Sequence, residues 1–275
     1  MKTNQEIIDI IKRALAEDIG QGDVTSQLLI PENQQAEMAF VAREDLVACG
    51  VFIPELVYNI LGASASASVN EGEFAGTNKV LAVAKGNARA LLAGERVVLN
   101  LMQRMCGIAT LTNQYVQAVA GTKVVILDTR KTMPNLRVFD KYSVTVGGGK
   151  NHRMRLDDMV MIKDNHIALC GGIKQAVEKV RAATKLPVIV ECDNLTQVEE
   201  AIIASPDRIL LDNMDNETLK KAVALSAGKI PLEASGGVSL ATVRGIAETG
   251  VDYISVGKLT HSAPAADIGA DIVFS

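Results

Sequence analysis

VVILD (124–128), MVMIK (159–163), VIVE (188–191), RILLD (208–212), LEAS (232–235) and YISV (253–256) are six short runs rich in branched and apolar residues. What lies between them decides the fold. Amphipathic helical spacing fills 172–184, 195–204, 215–226 and 239–248, and a weaker strand is predicted at 143–146. Strand alternating with helix implies a parallel sheet joined by right-handed crossovers. Nearly every run ends on a charged or hydroxyl residue: Asp128 with Thr129, Arg130 and Lys131; Lys163 with Asp164; Glu191; Asp212; Glu233 and Ser235; Ser255. In a barrel all the carboxyl ends of the strands meet on one rim, where binding and chemistry are built. An open doubly wound sheet gathers fewer of them, and no GxGxxG follows a first strand, so the α/β reading is a β/α barrel rather than a dinucleotide fold.

Upstream the grammar differs. Residues 5–17 read as an amphipathic surface helix, 36–42 and 79–84 as strands, and 87–103 as a long helix. Glycines at 50, 62, 72, 76 and 86 punctuate the turns, which suits a layered α+β domain. The bulk properties agree with a soluble enzyme-sized chain: 275 residues, 48% hydrophobic and 22% charged. No apolar run is long enough to span a bilayer, and charges interrupt the first 19 residues, so neither a membrane segment nor a signal peptide is expected and the cytoplasm is the expected location. Cys49, Cys106, Cys170 and Cys192 form no CxxC pair and read as buried free thiols. A net charge of −4 argues against a general nucleic-acid surface, though not against a local basic pocket.

The chain has such a pocket in prospect. GGGKNHRMR (147–155) joins three glycines, which permit close backbone approach or positive φ, to the cations Lys150, His152, Arg153 and Arg155. Elsewhere such a stretch would be a flexible turn with solvated charges; here it overhangs the rim. Thr129, Arg130 and Lys131 bring a planar guanidinium fork and a point-charge ammonium to another strand end, and Lys163 adds a third site. Together they suit a ligand of high negative charge. Glu191 and Asp212 face them, either as ion-pair neutralisers of Lys163 and Arg153 or as carboxylates for Mg²⁺, which takes one or two carboxylates beside phosphates. Ser235, Gly236 and Gly237, and Ser255, Val256 and Gly257, follow the last two strands, where barrel loops often present N–H groups to a phosphate.

With those residues in view, the chain resembles the quinolinate phosphoribosyltransferase family along nearly its whole length. The matching stretches are ALAEDIGQGDVT (14–25), GERVVLNLMQRMCGIAT (94–110), DTRKTMP (128–134), GGGKNHR (147–153), IKDNHI (162–167), EASGG (233–237) and TGVDYISVG (249–257). The resemblance implies an amino-terminal α/β sandwich, 1–108 with 266–275, and an incomplete parallel β/α barrel of about six or seven strands, 109–265. It implies transfer of a phosphoribosyl group from phosphoribosyl pyrophosphate to quinolinate with decarboxylation, giving nicotinate mononucleotide, CO₂ and pyrophosphate. By the same resemblance Arg130, His152, Arg153 and Lys163 contact the quinolinate carboxylates, and Arg96 is donated across the interface of a homodimer, or of a higher assembly of dimers, with a shared site. Thr129 and Lys131 join the substrate-binding set, and Lys131, Lys163, Glu191 and Asp212 mark the catalytic, phosphoribosyl pyrophosphate and Mg²⁺ region. Ser235, Gly236, Gly237, Val256, Gly257 and Lys258 form the 5′-phosphate cradle. Three positions depart from the family pattern: Arg155 replaces a small residue, Cys106 a serine and Asn135 a glycine. Related transferases of the molybdenum-operon type share many of these motifs, and a lysine such as Lys163 could instead form a Schiff base, as in barrel aldolases.

Overall fold

The computed structural model describes residues 5–273, which divide between two compact units. One unit takes residues 1–113, 133–148 and 263–275, the other 114–132 and 149–262. Residues 133–148, which the strand–helix grammar assigned to the barrel, therefore cluster with the first unit.

The first unit begins with α1 (Gln5–Ile19), whose Ile7, Ile10, Ile11 and Leu15 form one buried stripe at helical spacing. Next comes α2 (Val24–Leu29), capped by Asp23, whose carboxylate accepts the Ser26 N–H at 3.0 Å. Then follow β1 (Gln35–Ala42), β2 (Leu46–Val47), α3 (Ile53–Ile60), β3 (Ser64–Ala67), β4 (Phe74–Ala75), β5 (Val80–Asn87) and the long α4 (Ala88–Ala118), which runs past the predicted 87–103. β1 is flanked antiparallel by β5 and by the carboxy-terminal strand β12 (Ile268–Val273), in the order β12-β1-β5-β3. The chain's end thus returns to complete this sheet. Phe40 and Tyr58 meet in its core with ring centroids 6.3 Å apart, and the Tyr58 hydroxyl donates to the Leu91 carbonyl at 3.0 Å, so the buried phenol is satisfied.

The strand expected at 143–146 is instead the last turn of α5 (Arg137–Val146). Val144, Thr145 and Val146 favour a strand locally, but Phe139, Asp140, Ser143 and Val144 are all buried along one helical face. Arg104 grips Asp140 through two 2.7 Å bonds, one to each carboxylate oxygen. Burial and this paired clamp override the local preference. Gly147 ends the helix where a Cβ would lie 2.4 Å from the Ala109 carbonyl oxygen. The first glycine of the triplet serves helix packing rather than ligand approach.

The second unit runs β6 (Val125–Leu127), β7 (Val160–Ile162), α6 (Asp164–Cys170), α7 (Ile173–Ala183), β8 (Val188–Cys192), α8 (Leu195–Ala204), β9 (Arg208–Asp212), α9 (Asn216–Ser226), β10 (Leu232–Ser235), α10 (Val243–Ala247), β11 (Tyr253–Ser255) and α11 (Lys258–His261). Its six strands are parallel in the order β6-β11-β10-β9-β8-β7, so the last strand curls back to the first. Lys150 adds a single parallel bridge on the outer edge of β6, donating to the Ile126 carbonyl at 2.9 Å. This is the trace of a seventh strand, and β7 pairs on one side only among the described residues, leaving the barrel incomplete. Asn194 and Asp215 cap α8 and α9 by accepting the N–H groups of Gln197 and Thr218, each cap contributing about 1 kcal/mol. These short capped helices fix where each strand end delivers its polar residue.

Candidate functional site

The carboxyl ends of the barrel strands open on a cavity of about 550 Å³. Thr129, Arg130 and Lys131 reach it from the end of β6, and His152 and Arg153 from the stretch that bridges to that strand. Lys163 arrives after β7, Glu191 from β8, Asp212 from the end of β9, and Ser235, Gly236 and Gly237 from β10. Residues spread over more than a hundred positions converge because every parallel strand ends on the same rim.

The cations are held, not loose. The Lys163 ammonium lies 2.5 Å from Glu191 Oε2, a partly buried pair. Arg153 donates from Nη1 to the Met159 carbonyl at 3.3 Å. Burial pulls the Arg153 guanidinium below its ordinary pKa, and the neighbouring Arg130 charge pushes the same way, against the weaker pull of Asp158 and Glu191. Two arginines are thus kept close enough to oppose one another. Lys131 sits on a tight turn whose N–H donates to Thr129 Oγ1 at 3.1 Å, while its carbonyl accepts from Thr260 Oγ1 at 2.8 Å.

His152, expected to contact the quinolinate carboxylates, lines the cavity. Its backbone N–H donates to the fully buried Asp128 at 2.8 Å, and its Nδ1 accepts the Arg153 N–H at 2.7 Å. Its Nε2 faces Glu233 Oε2 at 3.5 Å. Both ring nitrogens face protein, and the side chain braces Arg153. Glu233 itself, absent from the sequence candidates for the site, lines the cavity floor with Met161 and Leu210. Burial acts to raise its pKa, but the hydrogen bond and charge of His152, then those of Arg208, outweigh it and hold the carboxyl below its usual value. A charged residue in the middle of an apolar strand was the available signal.

The other singled-out residues are placed unevenly. The Val256 side chain is buried and its N–H donates to the Leu127 carbonyl at 2.9 Å, so it offers a ligand neither. Gly257 and the exposed Lys258 do not line this cavity; a Cβ at Gly257 would sit 3.2 Å from Lys131 Cδ and from the His261 ring. Arg155 points outward, three-quarters exposed, and pairs with Asp157 at 3.3 Å. Asn135 adopts φ +64°, a left-handed conformation that explains why glycine suits the position. Cys106 stands in for serine by accepting the Cys49 N–H on its sulfur at 3.3 Å. Burial pushes the Cys106 and Cys192 thiols up to about 12, so both stay protonated and inert. The Lys163 ammonium is tied to the Glu191 carboxylate rather than standing free as a Schiff-base nucleophile. Arg96 belongs to the first unit, exposed on α4.

Among the described residues no group of three or more His, Cys, Asp or Glu could hold a metal ion. Glu191 and Asp212 therefore offer a cation two carboxylates at most. That set fits Mg²⁺, whose remaining positions go to water and substrate phosphates, and does not fit an ion caged wholly by protein.

Known proteins share this architecture and these stretches. The family model described as the quinolinate phosphoribosyl transferase carboxy-terminal domain matches residues 108–271, and that of the amino-terminal domain matches 23–106. A probable nicotinate-nucleotide pyrophosphorylase (carboxylating) of Bacillus subtilis is 41% identical over 270 residues, spanning 97% of this chain and 93% of its own. The nicotinate-nucleotide pyrophosphorylase (carboxylating) of Mycobacterium leprae is 43% identical over 273 residues, spanning 96% of each. The crystal structure of nicotinate-nucleotide pyrophosphorylase from Ehrlichia chaffeensis superposes with a TM-score of 0.94 at 45% identity, covering 99% of this chain and 100% of that one.

Proposed function

The chain belongs to the quinolinate phosphoribosyltransferase family, the decarboxylating transferases of NAD biosynthesis, and from that premise we propose that its barrel rim joins quinolinate to phosphoribosyl pyrophosphate. The observation that carries this reading is the convergence of Arg130, Arg153 and Lys163 on one rim cavity, where burial and the Arg130 charge both act to depress the Arg153 guanidinium. Such crowding costs stability without a ligand and is relieved by one bearing two adjacent carboxylates, which planar guanidinium forks recognise bidentately. A single carboxylate would leave one cation unmatched.

The reaction needs little from the protein beyond positioning and charge. The pyridine nitrogen already has a lone pair, so no general base is required; it forms a bond to the ribose C1′ as the bond from C1′ to pyrophosphate breaks and its electron pair leaves with the phosphate. Arg130, Arg153 and Lys163 hold the ring by its carboxylates, with His152 bracing Arg153. Lys131 and the Ser235–Gly237 turn meet the phosphates, where N–H groups and an ammonium stabilise the departing charge. Glu191 and Asp212 would hold Mg²⁺, which when bound neutralises pyrophosphate. Once the ring nitrogen is cationic, the bond to the adjacent carboxylate breaks, CO₂ departs, and the electron pair left on carbon is stabilised by the neighbouring positive nitrogen until solvent supplies a proton.

The exposed face of the first unit supports a homodimer. Arg96 is exposed on α4, and α2 presents Val24, Leu28 and Leu29 to solvent beside a recess shared with Leu92 and Ala93. Apolar side chains this exposed are covered by a second copy of the chain, which receives Arg96 at its own rim. No helix among the described residues is long and apolar enough to cross a membrane. Purified protein given quinolinate, phosphoribosyl pyrophosphate and Mg²⁺ should release CO₂ and pyrophosphate in equal amounts; release of pyrophosphate without CO₂ would redirect the assignment to another acceptor.

A further inference from the structure

Asn213 follows Asp212 at the mouth of the barrel and lines the same cavity. Its backbone is left-handed, φ +53°, a conformation that side chains other than asparagine and aspartate seldom adopt. From there its N–H donates to the Ser235 carbonyl at 2.9 Å, extending by one step the β9–β10 ladder whose last paired rung is Asp212 with Ser235. Its side-chain amide turns back on its own neighbour and donates from Nδ2 to Asp212 Oδ2 at 2.6 Å. The amide oxygen lies against the next strand's turn: a Cβ on Gly236 would fall 2.1 Å from Asn213 Oδ1 and 2.9 Å from its backbone nitrogen. Gly236, at φ +96°, is therefore required both by its own conformation and by the space this amide fills.

We propose that Asn213 is a positioning residue for the phosphoribosyl donor, locking the Asp212 carboxylate to the Ser235–Gly237 turn. The inference rests on the transferase reading above. One oxygen of Asp212 is tied by the amide, which fixes the plane of the carboxylate and leaves the other oxygen for the donor or its accompanying cation. Through Gly236 the same amide sets the turn whose N–H groups meet phosphate. One residue thereby couples a carboxylate contact and a phosphate contact on neighbouring strands, and neither touches the dicarboxylate half of the cavity.

A local backbone role is the competing explanation, since asparagine suits a left-handed position whatever its side chain does. Glycine separates the two, because Asn213→Gly keeps the backbone conformation and removes only the amide. Melting temperature, calorimetric binding of phosphoribosyl pyrophosphate with and without Mg²⁺, binding of quinolinate alone, and steady-state rates should be compared for wild type, Asn213→Gly and Asn213→Asp. Asn213→Gly should melt no lower than wild type and bind quinolinate normally, while its affinity for phosphoribosyl pyrophosphate falls roughly 10- to 100-fold, the size of a lost hydrogen bond to a charged group. Asn213→Asp sets a second carboxylate beside the first and should bind the donor more weakly still without Mg²⁺, with partial recovery as Mg²⁺ rises. Unchanged donor binding by Asn213→Gly would overturn the inference and leave a backbone role; so would a lowered melting temperature with equal losses for both substrates. If wild type binds no phosphoribosyl pyrophosphate at all, the transferase reading falls first and this inference with it.

Discussion

Arg208 reaches Glu233 across one strand spacing: its Nη1 lies 2.8 Å from Oε2, while the guanidinium carbon sits 3.9 Å above the centre of the Tyr253 ring. The three residues come from β9, β10 and β11 and form a polar layer inside the barrel beneath the cavity. The Glu233 side chain is completely buried, so removing Arg208 leaves its charge facing His152 alone. Arg208→Met should lower unfolding free energy by about 3–5 kcal/mol in urea titrations.

Glu233 also gives a pH signature. Burial alone would raise its pKa, yet His152 and Arg208 prevail and the folded value lies below the ordinary 4.5. A depressed carboxyl pKa stabilises the fold above the unfolded value, and that contribution fades as pH falls through 4.5 toward the folded value. The stability difference between wild type and Glu233→Gln should therefore be constant near neutrality and shrink below about pH 4.5. A difference that stays flat to pH 3 would mean that the folded carboxyl titrates as the unfolded one does and gains nothing from His152 or Arg208.

The opposed arginines predict selectivity for two carboxylates. Nicotinate, which lacks the second one, should show kcat/KM lower by on the order of 10³-fold or more, because a buried donor is left without its acceptor. Arg153→Lys keeps the charge but loses the fork, and should raise KM for quinolinate more than KM for phosphoribosyl pyrophosphate. Comparable turnover of nicotinate would remove the dicarboxylate assignment.

Much of this was legible beforehand, for reasons that differ by residue. Strand ends were readable because a branched apolar run broken by Asp128, Lys163, Glu191 or Asp212 marks both a strand and its exit, and parallel topology does the rest. Residues 143–146 misled because β-branched side chains carry a local signal, whereas the Arg104–Asp140 clamp that holds α5 spans 36 residues of sequence. The glycine triplet was read in part: Gly148 takes the positive φ, +93°, that glycine permits, whereas at Gly147 the close neighbour is helix α4 rather than a ligand. Asn213 was missed because it is unexceptional in sequence, and Glu233 was read as a polar strand end without a role at the site. Their roles arise from the strand register that sets Glu233 beside Tyr253 and Leu210, and from a left-handed turn that no composition reveals.

Glu191 and Asp212 differ in what their loss should do. Glu191→Ala also releases the Lys163 ammonium from its 2.5 Å partner, so quinolinate affinity should hold or rise while use of phosphoribosyl pyrophosphate weakens. Asp212→Ala should weaken use of the donor without altering quinolinate binding, since its recorded partner is Asn213. Both variants should need more Mg²⁺ for half-maximal rate. Normal rates at limiting Mg²⁺ in both would make these carboxylates neutralisers of nearby cations and nothing more.

Arg96 provides the test of a shared site. It is exposed on α4 in the first unit, on the same helical face as Leu92 four residues earlier, which lines a recess with Val24 of α2. If a second copy covers that face, Arg96 completes the partner's cavity and not its own. Arg96→Ala and Lys163→Ala homodimers should then each be nearly inactive, for every site lacks one of the two groups. A mixed dimer built from one chain of each kind holds one site with both residues intact and one with neither. Random exchange at equal amounts makes about half the dimers mixed, so activity should recover to about a quarter of wild type. Subunit exchange demonstrated by mass or fluorescence, with no recovery, would place Arg96 in its own chain's site or outside any site.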